Sequence, residues 1–112
     1  SKPKHLSNKE IQSSKVVYSQ EEAHYDQAID LYTKAIDTLG KSSPKAAPIL
    51  CNRAMCFIKT ESYKLAIDDG EAAAVADPTF PKGYFRQGSG YFFLGKLPEA
   101  LKIFKDVEEL FT

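Results

Sequence analysis

Two cysteines, two histidines and no excess of either charge leave little of the material from which catalytic, metal or nucleic-acid sites are built. Cys51 and Cys56 lie five apart within one helical stretch, which makes neither a Cys-x-x-Cys redox pair nor a zinc-ligand spacing, so they read as buried free thiols. Unpaired thiols suit a reducing compartment. His5 and His24 are isolated, with no metal or nucleophile partner at a useful spacing. Lys and Arg (15) balance Asp and Glu (15); no global field draws in nucleic acid or an anionic membrane, and electrostatic recognition has to be local. No apolar run approaches the roughly 18 residues of a membrane span, and no signal-peptide pattern opens the chain. Together with the free thiols this points to the cytoplasm or the nucleus. A Gly-rich phosphate loop is also missing, because Gly83, Gly88 and Gly90 fall inside a helical pattern, where close helix contact explains Gly88. The neighbouring carboxylates Asp68-Asp69 and Glu108-Glu109 point to different sides of a helix and read as solvated charges. The chain reads as a protein without catalysis, cofactor or metal.

What is present is a repeat. With 112 residues and 43% hydrophobic content the chain can build one continuous core. Segments 25–36, 63–74 and 97–108 share one pattern, with an alanine three places after the opening apolar residue, at Ala28, Ala66 and Ala100. The second interval is 34 residues and the first 38. The excess falls in 38–48, where Gly, Ser and Pro mark a loop. Small residues at these positions let the two helices of one repeat approach closely. Each segment is preceded by a stretch with its own apolar face: Ile49, Leu50, Ala54, Phe57 and Ile58 in one, Tyr84, Gly88, Tyr91 and Leu94 in the other. Ser62 reads as a helix N-cap, Gly95 as a helix stop, Pro98 as a first-turn residue and Asp77-Pro78 as a break. Strand-like alternation is absent. The expectation is an all-α, right-handed α-solenoid of three helix-turn-helix repeats, about 7–40, 46–78 and 79–112, in a single domain over 1–112. Its helices are expected near 7–23, 25–38, 46–59, 62–76, 79–94 and 97–111. Starting at Ser and stopping within a helical pattern at 110–112, the chain reads as a piece of a longer protein.

The 34-residue period is that of tetratricopeptide (TPR) repeats. Asn52-Arg-Ala-Met-Cys-Phe-Ile-Lys59, followed by 63–78, Lys82-Gly-Tyr-Phe-Arg86 and Leu94-Gly-Lys-Leu-Pro-Glu-Ala-Leu101, resembles the TPR domains of co-chaperones such as protein phosphatase 5, the Hop adaptor and the large immunophilins. The likeness covers 25 to about 107 and fades in the first helix. It implies a carboxylate clamp, a cluster of Lys, Asn and Arg that grips the C-terminal Glu-Glu-Val-Asp tail of a 90-kDa or 70-kDa heat-shock chaperone. Of five clamp positions, the resemblance maps Asn52, Lys82 and Arg86 onto three.

The residues support these three independently. Lys82 and Arg86, four apart, share a helix face, and Asn52 stands one repeat before Arg86. Arg offers a planar fork, Lys a point charge and Asn a neutral donor. Phe85 and Met55 are candidate groove walls for an apolar peptide side chain. Phe92 and Phe93 point the same way by counting but read as core, while Tyr91 and Phe104 face neighbouring helices. In the first repeat the family pattern fails: Ser13 and Val17 stand where it has Lys and Asn, with Lys15 or Lys9 as stand-ins if the first helix is shifted. The alternatives are a TPR scaffold for a different internal peptide or helix, and a regulatory segment covering the active site of an attached enzyme such as a phosphatase.

Overall fold

A computed structural model describes the backbone from Asn8 to Thr112 and the side chains from Glu21 onward. Five α-helices follow one another: α1 (Asn8–Leu39), α2 (Ala47–Lys59), α3 (Tyr63–Ala76), α4 (Lys82–Leu94) and α5 (Leu97–Phe111), with one 3₁₀ turn, Pro44–Ala46, leading into α2. Each helix packs on the next, and α2 also touches α4 across the chain order. No such contact joins α3 to α5 among the described residues. The stack therefore closes on the α2/α4 side, which is its inner wall.

Small residues account for the closeness of this stack. Ala54, Ala66 and Ala73 are fully buried, and the largest fully buried side chains are only Leu50 and Cys51. A Cβ on Gly70 of α3 would sit 2.5 Å from the backbone nitrogen of Gln87 on α4, so these helices meet almost backbone to backbone. Buried positions recur with helical spacing, at Ala47, Leu50, Cys51 and Ala54 in α2 and at Ala66, Ile67, Gly70, Ala73 and Ala74 in α3. Both cysteines are buried and free, as their sequence spacing indicated.

The stops follow the local chemistry. Gly95 ends α4 with φ +89°, and Pro98 lies in the first turn of α5. After α3, Asp77 accepts from the Thr79 backbone N–H at 3.1 Å and from its hydroxyl at 2.6 Å, which turns the chain toward α4. Ser62 precedes α3 but makes no side-chain capping hydrogen bond. In the loop after α1, Gly40 takes φ +90° and Ser43 caps the 3₁₀ turn.

One boundary differs from expectation. The sequence register calls for two helices, near 7–23 and 25–38, and the structure has the single α1, so His24 lies within a helix and not at a junction. The reason lies at one position. The α2–α3 turn needs Glu61 at φ +61° and the α4–α5 turn needs Gly95 at φ +89°. The turns are superposable in bonding. Ser62 N–H donates to Phe57 O at 2.7 Å and Lys96 N–H to Tyr91 O at 2.9 Å, each pair 34 residues from its counterpart. Counting back the 38 residues from Glu61 reaches Ala23. A left-handed alanine costs roughly 1–2 kcal/mol, and alanine is the best helix former. Glu61 bears that strain beside Thr60, whose hydroxyl donates to the Cys56 carbonyl at 3.0 Å and helps stop α2. Ala23 has Glu21 and Glu22 before it and no breaker on either side.

Candidate functional site

The inner wall is built by α2 and α4, the two helices that carry all five sequence candidates. Lys82 opens α4 and Arg86 follows one turn later. The Arg86 Nε donates to the Cys51 carbonyl of α2 at 3.2 Å, which carries its guanidinium to the residue next to Asn52. Its two Nη nitrogens have no partner among the described residues. Lys82 also lies close enough to Cys51 to be felt there. Burial pushes the Cys51 thiol up to about 11, against the opposing pull of the Arg86 and Lys82 charges. Both charges act on the stretch of α2 next to Asn52, which is exposed. A lysine in the first turn of a helix works against the macrodipole. Lys82 adds its charge to an end that is already positive, an arrangement suited to an anion.

Met55, one turn after Asn52, is half-buried on α2. Phe85, the fifth candidate, is 45% exposed and lies 6.2 Å, centroid to centroid, from Phe104 of α5. It therefore has one side against the neighbouring helix and one side open. Phe104 itself packs against Gly88, where a Cβ would come within 2.5 Å of its ring, in keeping with the reading that both serve helix contact. Phe92 and Phe93 are not core: each is 53% exposed. Phe93 stacks on Tyr63 of α3 at 5.8 Å and Phe92 meets it edge-on at 5.3 Å. Phe93 thus lies over the start of α3. Ser13, Val17, Lys9, Lys15 and His5 lie outside the residues whose side chains are described.

A second polar cluster corrects the reading of Asp69 as a solvated charge. Asp69 is 3% exposed and takes a two-pronged hydrogen bond from Arg53, both prongs 2.7 Å. The same guanidinium donates to Thr33 Oγ1 at 3.0 Å, and its carbon lies 5.7 Å from the centroid of the Phe57 ring. The hydrogen bond to Asp69 is the chief cause that raises the Arg53 pKa above its ordinary value. One arginine of α2 thus ties α1 and α3 together. Asp68, its neighbour, is exposed as expected. Sequence spacing held a usable signal, since Arg53 and Asp69 flank the α2–α3 turn in nearly the same register as Ala54 and Ala66.

A cleft of about 470 Å³ opens elsewhere, between Tyr25 and Ile29 of α1 and the α2–α3 turn around Phe57 and Glu61. No group of three or more His, Cys, Asp or Glu side chains is arranged to hold a metal among the described residues. No described helix is long and apolar enough to cross a membrane.

No family model matches the sequence. The chain is 40% identical over 83 residues to serine/threonine-protein phosphatase T of Trypanosoma brucei brucei, covering 74% of this chain and 16% of the phosphatase. Two solved structures are similar throughout. The first TPR of Spaghetti, bound to the HSP90 peptide SRMEEVD, matches with a TM-score of 0.68 and 31% identity over 89% of this chain and 76% of that one. The second TPR of Spaghetti, bound to the same peptide, matches with a TM-score of 0.66 and 31% identity over 90% of this chain and 98% of that one.

Proposed function

This chain belongs to the tetratricopeptide-repeat family, and from that membership we propose that it is a peptide-binding module for the C-terminal tail of a heat-shock chaperone. Asn52, Lys82 and Arg86 grip the terminal carboxylates, and Met55 and Phe85 flank an apolar side chain of the tail. The module performs no chemistry of its own and works in the cytoplasm, where such tails are found. It forms one domain whose repeats divide near 7–40, 46–78 and 79–112, the first being opened out by the continuous α1.

The observation that carries this reading is the position of Arg86. With Nε engaged by the Cys51 carbonyl, its fork is held against α2, and the two Nη nitrogens, without a partner among the described residues, can donate to a carboxylate. Lys82 supplies a second charge one turn away and Asn52 a neutral donor, so a dianionic chain terminus is met by two cations and an amide. Peptides ending in Glu-Glu-Val-Asp carry that terminus, and the Spaghetti domains similar to this chain hold one.

A C-terminal peptide of this sequence, titrated calorimetrically as the free acid and as the amide, tests the reading. The acid is expected to bind at least tenfold more tightly. Equal affinities, or no binding by either, would contradict it. The likeness to phosphatase T supports a second reading, in which the module also covers the active site of an attached phosphatase. A gene without a catalytic domain would remove that reading and leave the first intact.

A further inference from the structure

Helix α5 leaves open a face that α3 has covered. Along α3 the following helix lies over positions 63, 67, 70 and 74. Phe93 stacks on Tyr63, while Gly90 closes on Ile67, Gln87 on Gly70 and Gly83 on Ala74. Ile67 and Ala74 are accordingly buried, at 7% and 8% exposure. The same stripe of α5, 34 residues on, is Leu97, Leu101, Phe104 and Glu108, continued by Phe111. Beyond α4 itself, no helix lies over that stripe among the described residues. Leu97 and Leu101 are 56% and 59% exposed, and Phe111 is 41% exposed.

We infer that this stripe is the contact between two copies of the chain, whose α5 helices pair antiparallel about a two-fold axis near Asp106. Spacing and side-chain size name the occupant. The intervals of 4, 3, 4 and 3 residues along the stripe are those of a coiled-coil seam, where a second helix runs nearly alongside. On α3 the stripe carries Gly70 and Ala74 and admits a helix with Gly83 and Gly90 almost to the backbone. On α5 the same places hold Phe104 and Glu108, so a helix docking there stands farther off and has to bring large apolar side chains of its own. Helix α5 is itself such a helix. Antiparallel pairing, with Leu101 against Phe111 and Phe104 against Glu108 of the other copy, sets Lys105 of each beside Glu108 of the other. Both charges are exposed and in no ion pair among the described residues. A parallel pair would set Glu108 against Glu108, so this one charge within the stripe also selects the orientation. The apolar contact is small, and the dimer is accordingly a weak one that separates on dilution. Asn52 lies on α2 and Lys82 and Arg86 on α4, outside the stripe, so association does not depend on the identity of the bound peptide.

Light scattering on the eluting 112-residue chain, without peptide and over a wide concentration series, tests this. At the highest concentrations the wild type is expected at twice its 12.5 kDa mass. Leu101→Glu, at a position already exposed, is expected to run as a monomer with the circular dichroism of the wild type. Val75→Glu on α3, where the side chain is 73% exposed, is expected to leave the dimer intact. Lys105→Glu and Glu108→Lys each weaken dimerisation by roughly tenfold or more, and the double variant, which exchanges the two charges, recovers it. A wild type that stays monomeric at every concentration overturns the proposal and leaves the face to a helix of another protein. So does a dimer that survives Leu101→Glu, because its interface would then lie elsewhere. A double variant no tighter than either single one overturns the antiparallel pairing, and the proposal with it.

Discussion

Replacing Asp69 by alanine is expected to be among the most damaging substitutions in this chain, although it removes only a carboxylate. The side chains of Arg53 and Asp69 are 15% and 4% exposed, with the Nε–Oδ2 separation at 2.7 Å. Asp69→Ala leaves the guanidinium partly buried with Thr33 as its one remaining side-chain hydrogen-bond partner among the described residues. An exposed pair would be worth under about 1 kcal/mol, whereas breaking a buried one costs about 3–5 kcal/mol because the surviving charge is uncompensated. The pair retains some water access through Arg53, so the lower end applies, about 3 kcal/mol. At about 4 °C per kcal/mol for a domain of this size, the melting temperature falls by about 12 °C. Removing both charges isolates the cause. Arg53→Met with Asp69→Leu leaves no orphan, and the double variant is expected to melt above Asp69→Ala alone. Thermal and urea melts followed by circular dichroism read both. A loss below about 1 kcal/mol for Asp69→Ala, or a double variant less stable than the single, refutes the account of this cluster.

Two further outcomes follow from the packing. Gly70→Ala is expected to cost more than Gly88→Ala, because the new Cβ on residue 70 meets Gln87 backbone at 2.5 Å, whereas on residue 88 it meets the half-buried ring of Phe104, which can swing aside; urea midpoints rank them, and the reverse order contradicts the close α3–α4 approach. At pH 8 the native Cys51 thiol, pushed from 9.0 to about 11, holds about a hundredfold less thiolate than in the unfolded chain. Modification by a disulfide reagent is therefore expected to wait for opening of the fold. The raised folded value also sets a sign: its stabilising contribution is complete below pH 9 and lost as pH rises through about 11.

The repeat period made most of the fold legible. The 34-residue interval between Ala66 and Ala100, with Gly95 and Pro98 at the last turn, located α5 to the residue and α2 and α3 to within one. Helix α4 begins at Lys82, later than residue 79, because the turn after Asp77 takes up three more residues. The first repeat was not legible in the same way, since register alone predicts a turn at Ala23 while nothing local enforces it. Whether a chain bends there depends on one residue's access to positive φ. The resemblance to co-chaperone repeats pointed to Asn52, Lys82 and Arg86, and helix and repeat spacing agreed with it. The bond from Arg86 to the Cys51 carbonyl had no sequence signal, because a backbone acceptor on another helix leaves no mark in residue type. Phe93 was misread for a related reason. Its burial depends on how far α3 extends past it, and Tyr63 covers only one side of the ring.

Recognition of a chain-terminal carboxylate by Arg86 is open to a thermodynamic cycle: wild type and Arg86→Ala, each titrated with the free-acid and the amidated peptide. If Arg86 holds that carboxylate, the substitution weakens the acid by about 1.5–3 kcal/mol and leaves the amide almost unchanged. An equal loss for both peptides, with no coupling between the guanidinium and the terminus, would show that Arg86 acts elsewhere.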